Sequence, residues 1–485
     1  RGRVDRWIVD RRGRPRAALR RTEEGSELLT RGVRSTSFTV VTRLEERGDP
    51  GSIDPIALTP DSERLVVRAR GSHDTIGLFE LDMANGTLLE RIFGLDGIDV
   101  SGALFDPLTG ELIAARFVQE GEARFRYLDA LSRSALGLLR QRFPDDEIEI
   151  RGASVDRSVF VVRISGATDP GSYHLLDRRT GRATRIARAA ARAGGLPLAE
   201  VEAITVPSRD GIPVEAFLTL PNELPPGGAP LILRPHGGPI GVQDTRDFDP
   251  LGQYLASWGF ATLQVNYRGS GGYGRAFLQA GQREWARGIE DDLDAAVEQV
   301  MRRPGIDASR ICVLGASYGG FSAVASVLRH LDRYRCAVAW NGVFDVPHMF
   351  EEGECSDIEA CLDVYARIIG DPEADRDELL RISPAYHVDE IETPILVVYG
   401  TDDVRVDPDH SHRLILMMEL LGKPHEVLEL QRGTHSPTRR ERVIFARVAR
   451  RFLTRHLLPG TTFVEDPMAI DGGRSPTPGR PVLRP

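Results

Sequence analysis

Two patterns of apolar and polar positions divide the chain. From Arg1 to about Arg192, short apolar runs are broken by turn-forming residues. Leu81-Asp82, Leu128-Asp129 and Leu176-Asp177 each close an apolar run, and their positions differ by 47 and then 48. Around them, Pro60-Asp61-Ser62-Glu63-Arg64-Leu65-Val66-Val67-Arg68 is echoed by Val155-Asp156-Arg157-Ser158-Val159-Phe160-Val161-Val162-Arg163, and Asn85-Gly86 by Thr180-Gly181. A repeat of this length predicts units of about four strands, the signature of propeller blades, with about four units in residues 1–192. Unrelated β-meanders are the competing reading of the same turns.

After the Ala- and Arg-rich stretch Ala187 to Gly195, read as a linker helix, apolar runs alternate with longer helical segments. Leu231–Arg234, Ala261–Asn266, Ile311–Gly315, Cys336–Trp340, Ile395–Tyr399 and Glu426–Leu430 predict buried parallel strands of an α/β domain over residues 193–459. Residues 460–485, rich in Pro and Gly, predict a disordered tail.

Candidate chemistry sits at the ends of these strands. Gly315-Ala316-Ser317-Tyr318-Gly319 follows one predicted strand directly and precedes a helix-capable run, Phe321 to Leu328. That context makes it a nucleophile elbow, where glycines flank a serine held in a strained turn, and defines an α/β-hydrolase fold. The structural alternative is a tight turn whose serine caps the helix. A serine hydroxyl needs a base to take its proton and a carboxylate to orient that base, in the chain order Ser, Asp, His.

The strand Ile395–Tyr399 runs into Asp402 and Asp403, of which Asp403 is the predicted orienter and Asp402 the reserve. His410 and His412 fall in a predicted helix and His425 at the wrong strand edge, whereas His435 follows the last strand where sites in open α/β sheets form. His435 is therefore the predicted base. An oxyanion hole needs two backbone N–H groups. Tyr318 supplies one, and the turn Pro235-His236-Gly237-Gly238-Pro239 the other, from Gly238 in preference to Gly237. His236 is read as shaping that turn.

Composition narrows the partners. The 485 residues carry a formal net charge of −9 with both signs interspersed, which argues against nucleic acid. No apolar run is long enough for a signal h-region or membrane span. The compartment is left open between the cytoplasm and, if a leader precedes Arg1, the periplasm or exterior; a homo-oligomer is compatible with the sequence. Cys312 and Cys336, in apolar runs, are read as buried free thiols, and Cys355 and Cys361 as able to close a small disulfide. The acids Glu351, Glu352, Glu354, Asp357 and Glu359 read as a solvated loop in preference to a binder of peptide amino termini. Asp291-Asp292 reads as structural. The run Asp402, Asp403, Asp407, Asp409 lacks the glycine and glutamate spacing of a calcium loop, so no metal is expected, and no cofactor.

The segment from about Leu198 to Leu458 resembles the prolyl oligopeptidase family of serine peptidases, in particular its acylaminoacyl-peptidase-like branch. The resemblance rests on His236-Gly237-Gly238-Pro239, Asn266-Tyr267-Arg268-Gly269-Ser270 through Gly272-Tyr273-Gly274, Gly315 to Gly320, and Gly400-x-x-Asp403-x-x-Val406. It implies cleavage of short peptides behind a propeller that restricts access, and it favours Asp403 over Asp402. The chain departs from the family in having about four repeats where seven or eight blades are usual, as in a version lacking its N-terminal part. It also has Gly433-Thr434-His435-Ser436 in place of Glu-Gly-His-Gly, and Asp407 before Pro408. A carboxylesterase with the same triad and an inactive propeller-based binding protein are the alternative functions.

Overall fold

The computed structural model describes residues 3–22, 25–44, 53–190 and 195–460; the stretch read as a tail lies almost wholly outside them. Four small antiparallel sheets come first. The first is β1 (Arg3–Val9), β2 (Pro15–Thr22), β3 (Gly25–Thr30) and β4 (Thr39–Leu44), and the second β5 (Asp54–Leu58), β6 (Arg64–Ala69), β7 (Gly77–Asp82) and β8 (Leu88–Phe93). The third is β9 (Val100–Phe105), β10 (Leu112–Gln119) and β11 (Glu122–Tyr127), and the fourth β12 (Glu147–Ala153), β13 (Val159–Gly166), β14 (Asp169–Asp177) and β15 (Arg182–Arg188). Of the three Leu-Asp pairs of the repeat, Leu81-Asp82 and Leu176-Asp177 end the third strands of the second and fourth sheets, and Leu128-Asp129 directly follows the third strand of the third. In the third sheet a helix, α1 (Ala130–Arg140), follows where the fourth strand would come, because Asp129 caps it through the Ser132 N–H.

The echoed Asp motifs are turns closed by their own side chains. Asp61 Oδ1 accepts from the Glu63 N–H at 3.0 Å and Asp156 Oδ1 from the Ser158 N–H at 3.1 Å, while Ser62 and Arg157 take the left-handed φ that the turns demand. Hydrogen bonds from the Ser154 and Ser158 hydroxyls and the Ser158 N–H hold the Asp156 carboxyl down to about 2. Consecutive sheets share apolar clusters: Ala17 and Leu28 pack with Leu65 and Val67, Leu78 with Val100 and Ala115, and Ala114 and Tyr127 with Ile148 and Phe160. Ala187 and Arg188, read as the start of a linker helix, instead end β15, where they pair with Tyr173 and Ser172 of β14; Ala191 to Gly194 lie outside the described residues.

The large sheet comprises β16 (Val201–Pro207), β17 (Pro213–Thr219), β18 (Ala229–Pro235), β19 (Ala261–Asn266), β20 (Ile306–Ala316), β21 (Cys336–Trp340), β22 (Ile395–Gly400) and β23 (His425–Leu430) in the order β16-β17-β19-β18-β20-β21-β22-β23. The strands from β19 to β23 are parallel, and β16 and β17 add an antiparallel edge. Its helices are α2 (Pro250–Ala256), α3 (Arg275–Gln279), α4 (Gly288–Met301), α5 (Tyr318–Arg329), α6 (His348–Glu351), α7 (Glu359–Ile368), α8 (Arg376–Arg381), α9 (Asp409–Leu420) and α10 (Arg439–Leu457).

Burial on both faces explains why the central strands read as unbroken apolar runs. Leu231, Leu233, Val313, Ala337 and Val397 face α4, α5 and α9, whereas Ile232, Leu314, Val338, Trp340 and Val398 face α2 and α10. In α10, Phe445, Ala449, Phe452 and Leu453 recur at helical spacing on the buried side. The expectation of full burial fails for β23, an edge strand whose Val427 is 44% exposed.

The reading of Cys312 and Cys336 as free thiols is corrected. They are register partners on neighbouring strands with Cα atoms 4.8 Å apart, and they form a disulfide, as do Cys355 and Cys361. Strand adjacency, invisible in the spacing of the two cysteines, is what pairs them.

Asp292 is fully buried and accepts from the Arg268 N–H, Nε and Nη2, while Arg268 also reaches Asp210. The segment after β19 is thereby fixed to α4. These bonds hold the guanidinium pKa above its ordinary value. Asp292→Ala leaves a buried arginine without its main partner, and urea unfolding should show a loss of about 3–5 kcal/mol.

Candidate active site

The parallel strands bring their C-terminal ends to one edge, and β18 is the switch point from which the chain leaves first to β19 and later to β20. Ligand sites form outside such points. Ser317 follows β20 with φ 59° and ψ −124°, a conformation outside the regions a side chain prefers. Packing enforces it. A Cβ on Gly315 would stand 2.1 Å from the Gly319 carbonyl oxygen, and one on Gly319 would stand 2.2 Å from that of Pro235. The Ser317 N–H donates to the Trp340 carbonyl at 2.9 Å, which ties the turn to β21.

Tyr318 begins α5, so its N–H has no acceptor inside the helix. The Gly237 turn lies directly alongside: a methyl there would be 3.4 Å from Ser317 Cβ and 3.9 Å from Oγ. The turn that carries Gly238 thus borders the candidate nucleophile at Gly237. His236 is buried, with one ring nitrogen 2.9 Å from Ser270 Oγ and the other 2.9 Å from the Tyr267 hydroxyl, and burial pushes its pKa down. It is a neutral brace for the turn.

The predicted acid and base are in contact. His435 Nδ1 lies 2.8 Å from Asp403 Oδ2. Asp403 is 3% exposed, and its Oδ1 accepts from the Arg405 and Val406 N–H groups at 2.9 and 3.1 Å. Asp402 is exposed, with its carboxyl on the Thr401 hydroxyl and its N–H on the Gly433 carbonyl. It shapes the His435 loop through its backbone and leaves the imidazole to Asp403. His410 and His412 lie in α9, away from this pair, and burial beside His348 drives His410 down to about 3. His425 opens β23 at the opposite edge. The five acids from Glu351 to Glu359 are all exposed, and Glu354 pairs with Arg405 at 2.6 Å.

Two supporting residues escaped the sequence reading. Asn341, buried after β21, accepts the Gly400 N–H at 3.0 Å and so aligns the ends of β21 and β22. Glu290 in α4 is buried and accepts the Tyr318 hydroxyl at 2.9 Å. Neither belongs to a local motif; only tertiary contact gives them a role.

The doubly wound sheet, with the Ser317 elbow and the Asp403–His435 pair at its C-terminal edge, matches the class of serine-type α/β hydrolases. Residues 246–459 match the prolyl oligopeptidase family, which supports a serine-type hydrolase of that kind. It is similar to the dipeptidyl aminopeptidase BIII of Pseudoxanthomonas mexicana, with 29% identity over 76% of this chain and 54% of the relative. It is also similar to the human acylamino-acid-releasing enzyme, with 29% identity over 47% of this chain and 31% of that enzyme. The chain thus spans about half or less of the length of these curated relatives. Among solved structures, a puromycin-hydrolyzing peptidase of Mycobacterium tuberculosis superposes with a TM-score of 0.72 at 22% identity, covering 91% of this chain and 68% of that one. The acylaminoacyl peptidase of Pyrococcus horikoshii gives 0.71 at 19%, covering 91% and 69%. At these identities the two structures speak to the fold alone.

Burial raises the Glu290 carboxyl from 4.5 to about 7, against the opposing hydrogen bonds from Tyr318 and Ser322. Between these values the folded protein keeps a proton that the unfolded chain has released, so stability falls as pH rises. The wild type should lose on the order of 3 kcal/mol between pH 4.5 and pH 8 through this group. Glu290→Gln, which mimics the protonated acid, should lack that component; urea unfolding of both proteins at the two pH values reads the difference.

Proposed function

We propose that the chain is a serine peptidase that hydrolyses short peptides through an acyl-enzyme. The observation that carries the proposal is the buried Asp403 carboxylate held 2.8 Å from His435 Nδ1 at the sheet edge where the Ser317 elbow ends. Ser317 Oγ attacks the scissile carbonyl carbon while His435 Nε2 takes its proton, and the carbonyl oxygen becomes an oxyanion held by the Tyr318 and Gly238 N–H groups. Collapse of the intermediate breaks the C–N bond, and the imidazolium protonates the leaving amine. Water then attacks the acyl-enzyme, giving a proton to His435, which returns it to Ser317 Oγ. Asp403 holds the imidazole in the tautomer with hydrogen on Nδ1. No cofactor enters these steps.

The four small sheets we read as blades of a partial propeller over residues 1–192, set before a hydrolase domain of residues 193–459. The shared apolar clusters between consecutive sheets and the repeated third-strand ends support that reading. Loops from these sheets reach the hydrolase: Asp74 accepts from the Arg275 and Ala276 N–H groups, the Asp99 N–H donates to the Gly272 carbonyl, and the Arg246 N–H to that of Gly121. The Asp74 and Asp99 contacts border the segment between β19 and α3 and the Gly121 contact that between β18 and α2, and we read these loops as limiting entry to small substrates.

The rival is a carboxylesterase with the same triad, since ester and amide differ here in the leaving group. Parallel assays on aminoacyl anilides, N-acylated peptides and short-chain esters separate the two; turnover of esters with none of any amide contradicts the peptidase reading. Within the triad, Asp403→Asn should lower kcat by about 10⁴-fold, while Asp402→Asn should change it far less. Equal losses from both would remove Asp403 from its assigned role.

A further inference from the structure

At the N-terminal end of α9, a second constellation has no part in the mechanism above. His348, the first residue of α6, is 3% exposed, and neither ring nitrogen has a hydrogen-bond partner among the described residues. Leaving both nitrogens of a buried imidazole unsatisfied is costly. Its nearest acid on the same helix, Glu351, stands 3.6 Å from Nδ1, beyond hydrogen-bonding distance. One ring nitrogen and a carboxylate oxygen from each of Asp407 and Asp409 lie within 4.8 Å of one another. The two acids come from the loop after β22 and the first turn of α9, so α6, that loop and α9 converge on one point.

The surrounding charges leave this point negative. Asp407 and Asp409 converge on His348, beside which Glu351 also stands, while the neighbouring cation, Arg413, is committed to Asp345. Existing bonds already orient the acids: Asp407 Oδ1 accepts the Asp409 N–H at 2.9 Å, and Asp409 Oδ1 lies 3.1 Å from His412 Nδ1. The His348 ring packs edge-on against His410, with centroids 5.0 Å apart, which limits its rotation. An imidazole and two carboxylates on separate elements are a donor set for a borderline divalent cation, whereas an all-oxygen set would suit calcium.

We propose that His348, Asp407 and Asp409 form a binding site for a divalent transition-metal ion, Zn²⁺ being the best match, completed by water or Glu351. Ligand atoms around a tetrahedral Zn²⁺ stand about 3.4 Å apart for bonds of about 2.1 Å. Closing the cluster to that spacing asks for side-chain rotation of the exposed Asp409 more than movement of the buried ring. The ion ties the loop that also carries Asp403 to α6, and so acts as a structural clamp. The sequence reading excluded a calcium loop in the run from Asp402 to Asp409; it had no means of seeing His348, which joins that run only in the fold. The site does not depend on whether Ser317 is active.

The test is calorimetric titration of the metal-free full chain, without a histidine tag, with ZnCl₂ and separately with CaCl₂. Thermal unfolding with and without Zn²⁺ supplies a second readout. One equivalent of Zn²⁺ should bind in preference to Ca²⁺ and raise the unfolding midpoint, as ligands of the native state do. Asp409→Asn and His348→Gln should each weaken Zn²⁺ binding at least about tenfold, since even partners outside the coordination sphere carry that much. Asp409 is exposed, so its variant decides the matter if His348→Gln does not fold. No Zn²⁺ binding by the wild type, undiminished affinity in Asp409→Asn, or preference for Ca²⁺ overturns the proposal.

Discussion

The contact between the first turn of α5 and the end of β18 governs the active edge. With glycine at 319, the helix backbone comes up against the Pro235 carbonyl, and no side chain fits between them. That approach sets the His236-Gly237-Gly238 turn beside Ser317 and the start of α5, whose first N–H has no intrahelical acceptor, and keeps Ser317 in its strained conformation. Beneath it lies an aromatic layer. Tyr318 packs against Trp285 and Tyr267, with ring centroids 4.6 and 5.8 Å apart, and Tyr267 stacks on His236. Glu290 anchors the layer from below through the Tyr318 hydroxyl. The elbow and the candidate oxyanion groups therefore share one rigid support.

The candidate acid and base come from a different pair of strands and depend on a different device. β22 and β23 lie side by side, so the loops that leave them are adjacent, and Asn341 aligns β22 with β21. Gly400 and Gly433 approach so closely that a Cβ on Gly400 would stand 2.4 Å from the Gly433 carbonyl. The loop carrying Asp403 and the loop carrying His435 are thereby locked together, with the Asp402 backbone as the clasp. This accounts for the different surroundings of two consecutive acids: Asp402 faces outward to solvent, and Asp403, next to it, inward to the imidazole.

Local chemistry was legible in the sequence where a motif coincided with a strand end. Gly315 to Gly319, His236 to Pro239 and the Asp403 loop fall into that class, and the parallel strands β18 to β22 were visible because burial on both faces leaves continuous apolar runs, a reason that does not extend to the edge strand β23. The turns at Asp61 and Asp156 were visible because their side chains close them. What escaped depends on residues distant in sequence. Cys312 pairs with Cys336 only because β20 and β21 are neighbours, Glu290 matters only through Tyr318, and His348 meets Asp407 and Asp409 only when α6 packs beside α9. The linker helix failed for another reason: alanine and arginine favour helix locally, but pairing with β14 drew Ala187 and Arg188 into β15.

The central claim, that Ser317 is an activated nucleophile in the folded protein, is tested most directly by labelling with a fluorophosphonate probe and locating the adduct by peptide mass spectrometry. The account predicts one adduct per chain, on Ser317, formed by the folded protein and lost on unfolding in urea. No adduct, or modification of a different serine, contradicts it.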